Sequence, residues 1–326
     1  MPGSGLMDTR EGLTLYRKLV LARRAEERIR QEYSADEIKT PVHLGIGQEA
    51  VPVGVCHGLP PDTKTFGTYR NHALFLTVTE DTDRFFAELY GKATGPGKGK
   101  AGSMHLASPA HGLMATSAVV GTTIPVAVGA ALANAYRGSD ELVAVFFGDG
   151  AVEEGVLWES LNFASLRRLR ILFVCEDNDL AIHTPAKDRQ GFRSIPEAVR
   201  GFKCHVMSVD GSDVMSVIDA TRQLLTRMAQ DPQPGFLHAT YFRFLEHVGP
   251  KEDFDAGYRR RPTVEERERL DPIARFAQAI GQHGISPSDL AGVRAAVDAQ
   301  IDASVRAAQA APFAAAGELL TDVWAP

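Results

Sequence analysis

Two runs of apolar residues near the middle of the chain have the length of buried β-strands. Residues 142–147 and 171–175 are almost continuously hydrophobic, and each run ends in a cluster of polar residues. The segment between them is long enough for a helix. Continuous hydrophobic strands joined by a helix are typical of a βαβ unit in a parallel sheet that is buried on both faces. The pattern predicts an α/β fold, a doubly wound mostly parallel sheet with helices on both faces.

Helical patterns flank this predicted core. Residues 8–35 are rich in Arg, Glu and Leu at helical spacing, with Asp8 as a candidate cap. Residues 263–282 predict one further helix, and Ser286 begins a last one in Ala-rich sequence. We therefore expect a single domain over residues 1–326, with these parts: a core over 35–260, an N-terminal helical arm over 1–35 and a C-terminal helical region over 263–326.

Three intermediate segments refine this outline. Residues 236–242 predict a late strand of the sheet, and the charged segment 246–261 predicts a mobile loop. A helix that begins near Thr123, with Pro125 in its first turn, carries a flat face of small residues. That face predicts close packing against another helix, either within this chain or across a subunit boundary.

Composition narrows the class of protein. With 326 residues, 44% of them hydrophobic, the chain can bury one large α/β core. A net charge of −6, with acidic and basic residues interspersed, argues against a nucleic-acid partner. Three cysteines without CxxC spacing favour free thiols in a reducing compartment. No apolar run reaches the roughly 20 residues needed to span a bilayer, so we expect a soluble cytoplasmic protein without a membrane partner.

Candidate chemistry follows the two apolar runs. Gly148-Asp149-Gly150 comes directly after the first, and Asn178 lies just beyond the second. The carboxyl ends of parallel strands are the ligand-binding edge of a doubly wound sheet. A carboxylate, a side-chain amide and a loop carbonyl suit magnesium completed by phosphate oxygens, and the glycines let the backbone approach those phosphates. Taken alone, Gly-Asp-Gly is more often only a strand-ending turn, but its spacing to Asn178 favours a metal-bridged diphosphate site.

The same two motifs resemble a known cofactor signature. Gly148-Asp149-Gly150 followed by Asp177-Asn178 is similar to the thiamine-diphosphate motif, which usually closes with two asparagines. Asp177 replaces the first of these, next to the residue that binds the metal. The resemblance implies that Asp149, Asn178 and the main-chain oxygen of Leu180 hold Mg²⁺.

Five linked motifs narrow the resemblance to one family. They share the order and spacing of the alpha subunit of the decarboxylating component of 2-oxo acid dehydrogenases, and they lie at residues 43–50, 68–72, 99–105, 148–150 and 181–185. This family includes the pyruvate, branched-chain and acetoin enzymes, and the likeness covers roughly residues 10 to 275. It implies a thiamine-diphosphate-binding fold that uses thiamine diphosphate and Mg²⁺.

The resemblance also assigns cofactor contacts. Arg70 is expected to pair bidentately with the diphosphate, although an arginine in this setting also suits a surface salt bridge. Ile182 is expected to support the bent cofactor, with a plain core residue as the alternative. The remaining expected contacts are the pyrimidine neighbours Tyr69, Ala118 and Val120 and the phosphate-flanking Gly148 and Gly150.

Three histidines match family positions around the reacting carbonyl. They are His43, His72 and His247, and imidazoles can donate to an oxyanion and move protons near neutral pH. His105 and His183 stay open between a structural and a functional role. His183 stands where small residues are usual in the family. A polar or anionic 2-oxo acid is therefore one hypothesis for the substrate.

The chain contains only one α/β half of the expected active site. In the family, the glutamate that activates the cofactor comes from a separate beta subunit, so the resemblance implies an α2β2 heterotetramer. The main interpretation is a subunit that decarboxylates a 2-oxo acid, or cleaves acetoin, and passes the acyl group to a lipoyl acyltransferase. The alternatives are an acyloin-forming carboligase in a biosynthetic pathway and a non-catalytic scaffold subunit.

A second glycine motif needs a separate interpretation. Residues 97–102 satisfy GxGxxG, the fingerprint of dinucleotide sites. That fingerprint requires a preceding strand and a following helix, whereas this stretch follows a predicted helix over residues 82–90. We therefore expect an active-site loop kept free by its glycines.

Overall fold

The computed structural model describes residues 8–321 and contains a six-stranded sheet in which every neighbouring pair is parallel. The strand order is β2-β1-β3-β4-β8-β7, and a two-stranded antiparallel hairpin, β5-β6, stands apart. The strands are β1 (Lys64–Thr68), β2 (Leu113–Ser117), β3 (Val143–Gly148), β4 (Ile171–Asp177), β5 (Leu180–Ala181), β6 (Thr184–Pro185), β7 (His205–Asp210) and β8 (Gly235–Thr240). The ends of the predicted arms, residues 1–7 and 322–326, lie outside the described residues.

Helices cover both faces of this sheet, as the sequence predicts. They are α1 (Thr9–Glu32), α2 (Ala50–Gly58), α3 (His72–Thr79), α4 (Thr82–Leu89), α5 (Thr123–Arg137), α6 (Gly155–Arg167), α7 (Ile195–Val199), α8 (Val214–Gln230), α9 (Val264–Leu270), α10 (Pro272–Gly281) and α11 (Pro287–Ala310). The predicted α/β class and the βαβ unit β3-α6-β4 are confirmed.

The two central strands are apolar up to the acidic residues Glu176 and Asp177 at the carboxyl end of β4, because both faces of the strands are buried. Phe146 and Val174 pack into the cluster that includes residues of α1, α2 and α8. Phe147 and Phe173 point the other way, into the cluster formed with α5 and α6. Since side chains alternate along a strand, two covered faces require hydrophobic residues at every position.

One predicted helix is wrong. Residues 263–282 form two helices, α9 and α10, which meet at Asp271. Pro272 lacks an amide hydrogen and disfavours helical geometry in the residue before it, and Asp271 is accordingly extended with ψ 112°. The Asp271 carboxylate then caps α10. The other predicted caps are confirmed, because Asp8 accepts from Arg10 N at 3.0 Å and Ser286 forms a capping box at α11.

The glycine-rich loop is not free. The carboxylate of Glu88, itself buried, accepts hydrogen bonds from the backbone amides of Gly97, Gly99, Ala101 and Gly102 at 2.7–3.2 Å. Its glycines allow the backbone to wrap around one anion, so the expectation of an active-site loop kept mobile by glycine is corrected. As predicted, the loop follows a helix and not a strand.

The segment 246–261 is irregular, as predicted, but it is fastened to the core. Arg259 donates to the carbonyl oxygens of Arg243 and Leu245 and pairs with Asp253. Gly249 N donates to Val42 O at 2.8 Å. These contacts replace the expected mobile loop with an anchored one.

The predicted flat face of α5 is only partly used within this chain. Ala127 and Ala131 are buried against the sheet, whereas Pro125 and Gly129 of the same face are exposed. Outside this face, Val126 and Tyr136 of α5 are 51% and 75% exposed. On the neighbouring α6, Leu166 is 74% exposed. Apolar side chains therefore project from α5 and α6 on the side that faces away from the sheet.

Two further expectations concern the cysteines and membrane-spanning helices. Cys56, Cys175 and Cys204 are free thiols. Over residues 8–321, none of the helices combines the length and the apolar character needed to cross a membrane.

Candidate active site

Asp149 and Asn178 meet at the carboxyl edge of the sheet. They follow the adjacent parallel strands β3 and β4, and Asn178 N donates to Asp149 Oδ1 at 3.4 Å. The Asp149 side chain is 1% exposed. The predicted convergence of the two motifs is therefore observed.

Tyr241 orients the amide of Asn178. Asn178 Nδ2 donates to the Tyr241 hydroxyl at 3.1 Å, while Asn178 Oδ1 is buried and has no hydrogen-bond partner among the described residues. A buried oxygen without a partner is costly unless a ligand completes it. The geometry presents this oxygen to a cation or a donor.

Charge around Asp149 is tightly balanced. Burial and the nearby Asp177 raise the pKa of Asp149 to about 6, against the opposing effect of Arg189. Arg189 pairs with the Asp149 carboxylate and also with Glu153. Although burial opposes it, a hydrogen bond from His238 Nε2, 2.7 Å from Asp177 Oδ2, lowers the pKa of Asp177. Asp177 is thus committed to His238, which leaves ligation to its neighbour Asn178.

A cavity of about 330 Å³ opens over this pair. Its wall contains ten of the residues expected from sequence: Tyr69, Arg70, Val120, Gly148, Asp149, Gly150, Asn178, Leu180, Ile182 and His247. Ala118, His43 and His72 are not part of the wall. A larger cleft of about 680 Å³ between Asp210, Arg260 and Arg275 contains none of the motif residues, so the smaller cavity is the candidate site.

Ile182 is not a core residue. It is 57% exposed, lines the cavity and has φ 57°, in the left-handed region. A β-branched residue rarely adopts this conformation, and such strain concentrates at functional sites. The geometry favours the expected role of an apolar support over the alternative of simple packing.

Three rings cluster beside the cavity. The centroid of His43 lies 4.4 Å from that of Tyr69 and 5.2 Å from that of His247. Burial and the positive charge of Arg70 lower the pKa of both His43 and His247 to about 3. Both imidazoles are therefore neutral near pH 7 in the protein without cofactor.

Two arginines fix the tautomer of His247. Arg70 Nη2 and Arg243 Nη1 lie 3.2 Å and 3.4 Å from His247 Nδ1. Guanidinium groups only donate, so Nδ1 accepts and the ring proton belongs on Nε2. Neutral His247 is thereby an oriented hydrogen-bond donor.

Arg70 is also engaged with the main chain. It donates to Leu44 O at 2.8 Å and to His247 O at 2.9 Å. The expected bidentate pair with a diphosphate requires at least one of these contacts to be exchanged. Arg70 is 7% exposed, which excludes the alternative of a surface salt bridge.

His72 is the clearest departure from the expected site. Its ring is fully buried, with Nδ1 3.0 Å from Glu26 Oε1 and Nε2 2.6 Å from Ser103 Oγ. Glu26 also accepts from Gly45 N at 2.9 Å. His72 therefore braces the loop that carries His43, and the expectation that it contacts the reacting group is corrected.

The two histidines left open by the sequence are both exposed. The ring of His183 lies 4.7 Å from that of Tyr258, centroid to centroid. His105 is not part of the cavity wall. His183 is not part of the wall either, but it directly follows the wall residue Ile182.

Comparison with known proteins decides the family. The family described as dehydrogenase E1 component matches residues 17–316. The chain belongs to this family. It is 33% identical over 320 residues to the acetoin:2,6-dichlorophenolindophenol oxidoreductase alpha subunit of Cupriavidus necator, covering 98% of this chain and 95% of that protein. It is 32% identical over 325 residues to the pyruvate dehydrogenase E1 component alpha subunit of Zymomonas mobilis, covering 99% and 91%.

This E1 chain is an alpha-type subunit of a thiamine-diphosphate- and Mg²⁺-dependent enzyme that decarboxylates 2-oxo acids. Its residues fit that cofactor. Asp149, Asn178 Oδ1 and the carbonyl of Leu180 supply hard oxygens, and the Asn178 oxygen has no hydrogen-bond partner within residues 8–321. Within residues 8–321 there is no competing cluster of three or more His, Cys, Asp or Glu side chains that suits a metal.

Several residues of the E1 site were not found from sequence. Glu176 lies at the cavity floor, where burial raises the pKa of its carboxyl to about 7 and Asn71 Nδ2 donates to it at 3.1 Å. Tyr241 lines the cavity, and Arg189 and Arg243 contact the wall residues Asp149 and Ile182. Their contacts join residues 40 to 63 positions apart in the chain, so no local motif reveals them.

Proposed function

We propose that the cavity above Asp149 and Asn178 holds thiamine diphosphate with Mg²⁺. The observation that carries this proposal is the unpartnered Asn178 Oδ1, turned by Tyr241 and lying beside the Asp149 carboxylate. Leu180 O would supply the third protein ligand. Gly148 and Gly150 bring the backbone close to the phosphates, where side chains would intrude.

The organic half of the cofactor would lie along the opposite wall. Tyr69 and Val120 line that wall, and Ala118, although outside it, is joined to it through the main chain. Ile182 projects its strained, exposed side chain into the cavity to hold the cofactor bent. When bound, thiamine diphosphate supplies the electron sink that lets a 2-oxo acid lose carbon dioxide.

The chain's own residues would prepare the substrate. His247, held with its proton on Nε2, and His43 beside it can donate hydrogen bonds to a carbonyl oxygen that gains negative charge. Arg70 and Arg243 add fixed positive charge behind His247, which favours an anionic substrate. The roles of His43 and His247 are therefore orientation and charge stabilisation.

We further propose an α2β2 heterotetramer. The exposed apolar residues of α5 and α6, among them Val126, Tyr136 and Leu166, support subunit contacts that remain open in the single chain. A beta subunit would add the acidic group that activates the cofactor. The free thiols of the three cysteines support a reducing, cytoplasmic location.

The proposed acceptor is a lipoyl group on a partner acyltransferase. Relatives named for pyruvate and for acetoin are similarly close, so both are candidate donors for this chain. The test is reconstitution with the beta subunit, supplying pyruvate or acetoin and either lipoamide or a dye. Turnover that requires both subunits supports the proposal. Full turnover by the alpha chain alone would remove the shared site, and carbon–carbon bond formation with an added aldehyde but no lipoamide reduction would favour the carboligase.

A further inference from the structure

Arg189 occupies the proposed metal site from a neighbouring turn. It follows the β5-β6 hairpin, and its guanidinium contacts Asp149 Oδ2 and both carboxylate oxygens of Glu153, the latter at 2.6 Å. Its Nε donates to Thr184 O at 3.1 Å. The side chain is only 10% exposed. Arg189 is thus held in one place by several contacts.

Asp149 depends on this contact in the protein without cofactor. A carboxylate that is 1% exposed is costly to bury without a counter-charge. Among residues 8–321, Arg189 is the only cationic side chain that forms an ion pair with it. A divalent cation that takes the same carboxylate meets a positive guanidinium already in contact with Oδ2. The two cations therefore compete for Asp149.

Glu153 is a second carboxylate partner for Arg189. It is more exposed than Asp149, at 27%, and Gln190 Nε2 also donates to it at 2.8 Å. An Arg189 that leaves Asp149 keeps a carboxylate partner. Displacement then costs less than it would if the guanidinium lost both partners.

We propose that Arg189 is an internal counter-cation that closes the metal site, and that it leaves Asp149 and keeps Glu153 when the metal–diphosphate binds. This inference rests on the proposed role of Asp149 as a metal ligand. Arg189 lies in the same short segment as Leu180 and Ile182, between residues 180 and 190. Release of Arg189 therefore connects metal binding to the segment that supplies the third ligand and the apolar support.

The sign of the effect is specific. If the closed form accounts for about nine-tenths of the cofactor-free molecules, it weakens the apparent metal affinity about tenfold. Removing the guanidinium should abolish this competition. Arg189→Gln is therefore expected to bind metal about tenfold more tightly, unlike the substitution of a residue that holds the cofactor.

The experiment uses the full chain with its beta subunit. Mn²⁺ binding in the presence of thiamine diphosphate is titrated by electron paramagnetic resonance for wild type, Arg189→Gln, Arg193→Gln and Asp149→Asn. Arg193 is an exposed arginine four positions away, so it controls for the loss of charge from the same segment. Hydrogen–deuterium exchange of residues 180–193 is measured with and without Mn²⁺ and cofactor.

The inference requires that Arg189→Gln binds Mn²⁺ more tightly than wild type and that Arg193→Gln binds it with wild-type affinity. It also requires that the backbone amides of residues 180–193 in Arg189→Gln already exchange fast without cofactor. Weaker or unchanged affinity in Arg189→Gln would overturn it. If that variant does not fold, Arg189→Gln combined with Asp149→Asn is compared with Asp149→Asn alone. A double variant that folds supports the pair, because the neutral amide at position 149 no longer needs a counter-charge, and a double variant that does not fold overturns it.

The two levels of the proposal fail differently. Wild-type Mn²⁺ affinity in Asp149→Asn removes Asp149 from the metal site and with it the proposed function. Weak Mn²⁺ binding in Asp149→Asn together with wild-type affinity in Arg189→Gln removes only the counter-cation.

Discussion

Tyr241 binds the amide nitrogen of Asn178 and leaves the amide oxygen available for a ligand. Asn178 Nδ2 donates to the Tyr241 hydroxyl at 3.1 Å, and Asn178 Oδ1 is left buried without a partner among the described residues. The oxygen and the nitrogen of an asparagine amide are bonded to the same planar carbon, so fixing the direction of the nitrogen also fixes that of the oxygen. Tyr241 is thus a positioning residue for the proposed metal ligand.

Tyr241→Phe should weaken Mg²⁺-dependent cofactor binding. The change removes one hydrogen bond, a loss of about 1 kcal/mol, and lets the amide reverse. We expect affinity to fall about fivefold to tenfold, with a change in unfolding free energy of about 1 kcal/mol. Isothermal titration of Mg²⁺ and thiamine diphosphate into the reconstituted enzyme measures this effect. Wild-type affinity at reduced stability would show that Tyr241 has only a structural role.

His247→Asn should make stability less dependent on pH between about 3 and 6.5. Burial and Arg70 lower the pKa of His247 in the folded protein to about 3. Between about pH 3 and pH 6.5, His247 therefore binds a proton in the unfolded chain but not in the folded chain. This histidine therefore makes wild-type stability rise with pH across that window, with no further contribution above it. Other titrating groups contribute to both proteins and cancel in the difference.

Urea unfolding from pH 4 to pH 8 tests the histidine prediction. The stability difference between wild type and His247→Asn should change with pH below 6.5 and be constant above it. His283→Asn, at an exposed position near the end of α10, is the control. A difference that is constant over the whole range would mean that His247 has an ordinary pKa in the folded protein.

Ile182→Gly should leave the cofactor-free protein as stable as wild type, or more stable by about 1 kcal/mol. Glycine adopts the left-handed conformation without strain, and the lost side chain is 57% exposed. Ile29→Ala, at a fully buried position of α1, is the contrast and should cost about 2–5 kcal/mol. Denaturant unfolding compares the two. If Ile182→Gly lowered the free energy of unfolding by about 3 kcal/mol or more, Ile182 would be a core residue after all.

The sequence predicts the centre of this fold better than its edges. β3 and β4 are recognisable because both of their faces are buried and residues 142–147 and 171–175 are all apolar. β1, Lys64–Thr68, and β7, His205–Asp210, were not predicted, because the first is short and polar and the second lies at the edge with alternating exposure. Pro272 broke a predicted helix because its effect on the preceding residue outweighed the helical periodicity.

The site shows the same division. Asp149, Asn178 and Ile182 belong to linear motifs, and the structure brings them into one cavity. His72 also belongs to a motif, but its role depends on its contact with Glu26, which also binds Gly45 N. A contact between residues so far apart in the chain cannot be predicted from local sequence. Arg189 and Tyr241 act through contacts between distant parts of the chain. Spatial neighbours of motif residues are therefore what the fold adds to the sequence.

The most direct test of the metal site is Mg²⁺-dependent binding of thiamine diphosphate to Asp149→Asn, measured by calorimetry in the complex with the beta subunit. We expect affinity to fall by at least about tenfold, since asparagine keeps the shape but removes the charged ligand. The thermal unfolding temperature of the cofactor-free variant should not decrease by more than a few degrees. Wild-type affinity in this variant would contradict the assignment of Asp149 and Asn178 as the site that anchors the cofactor.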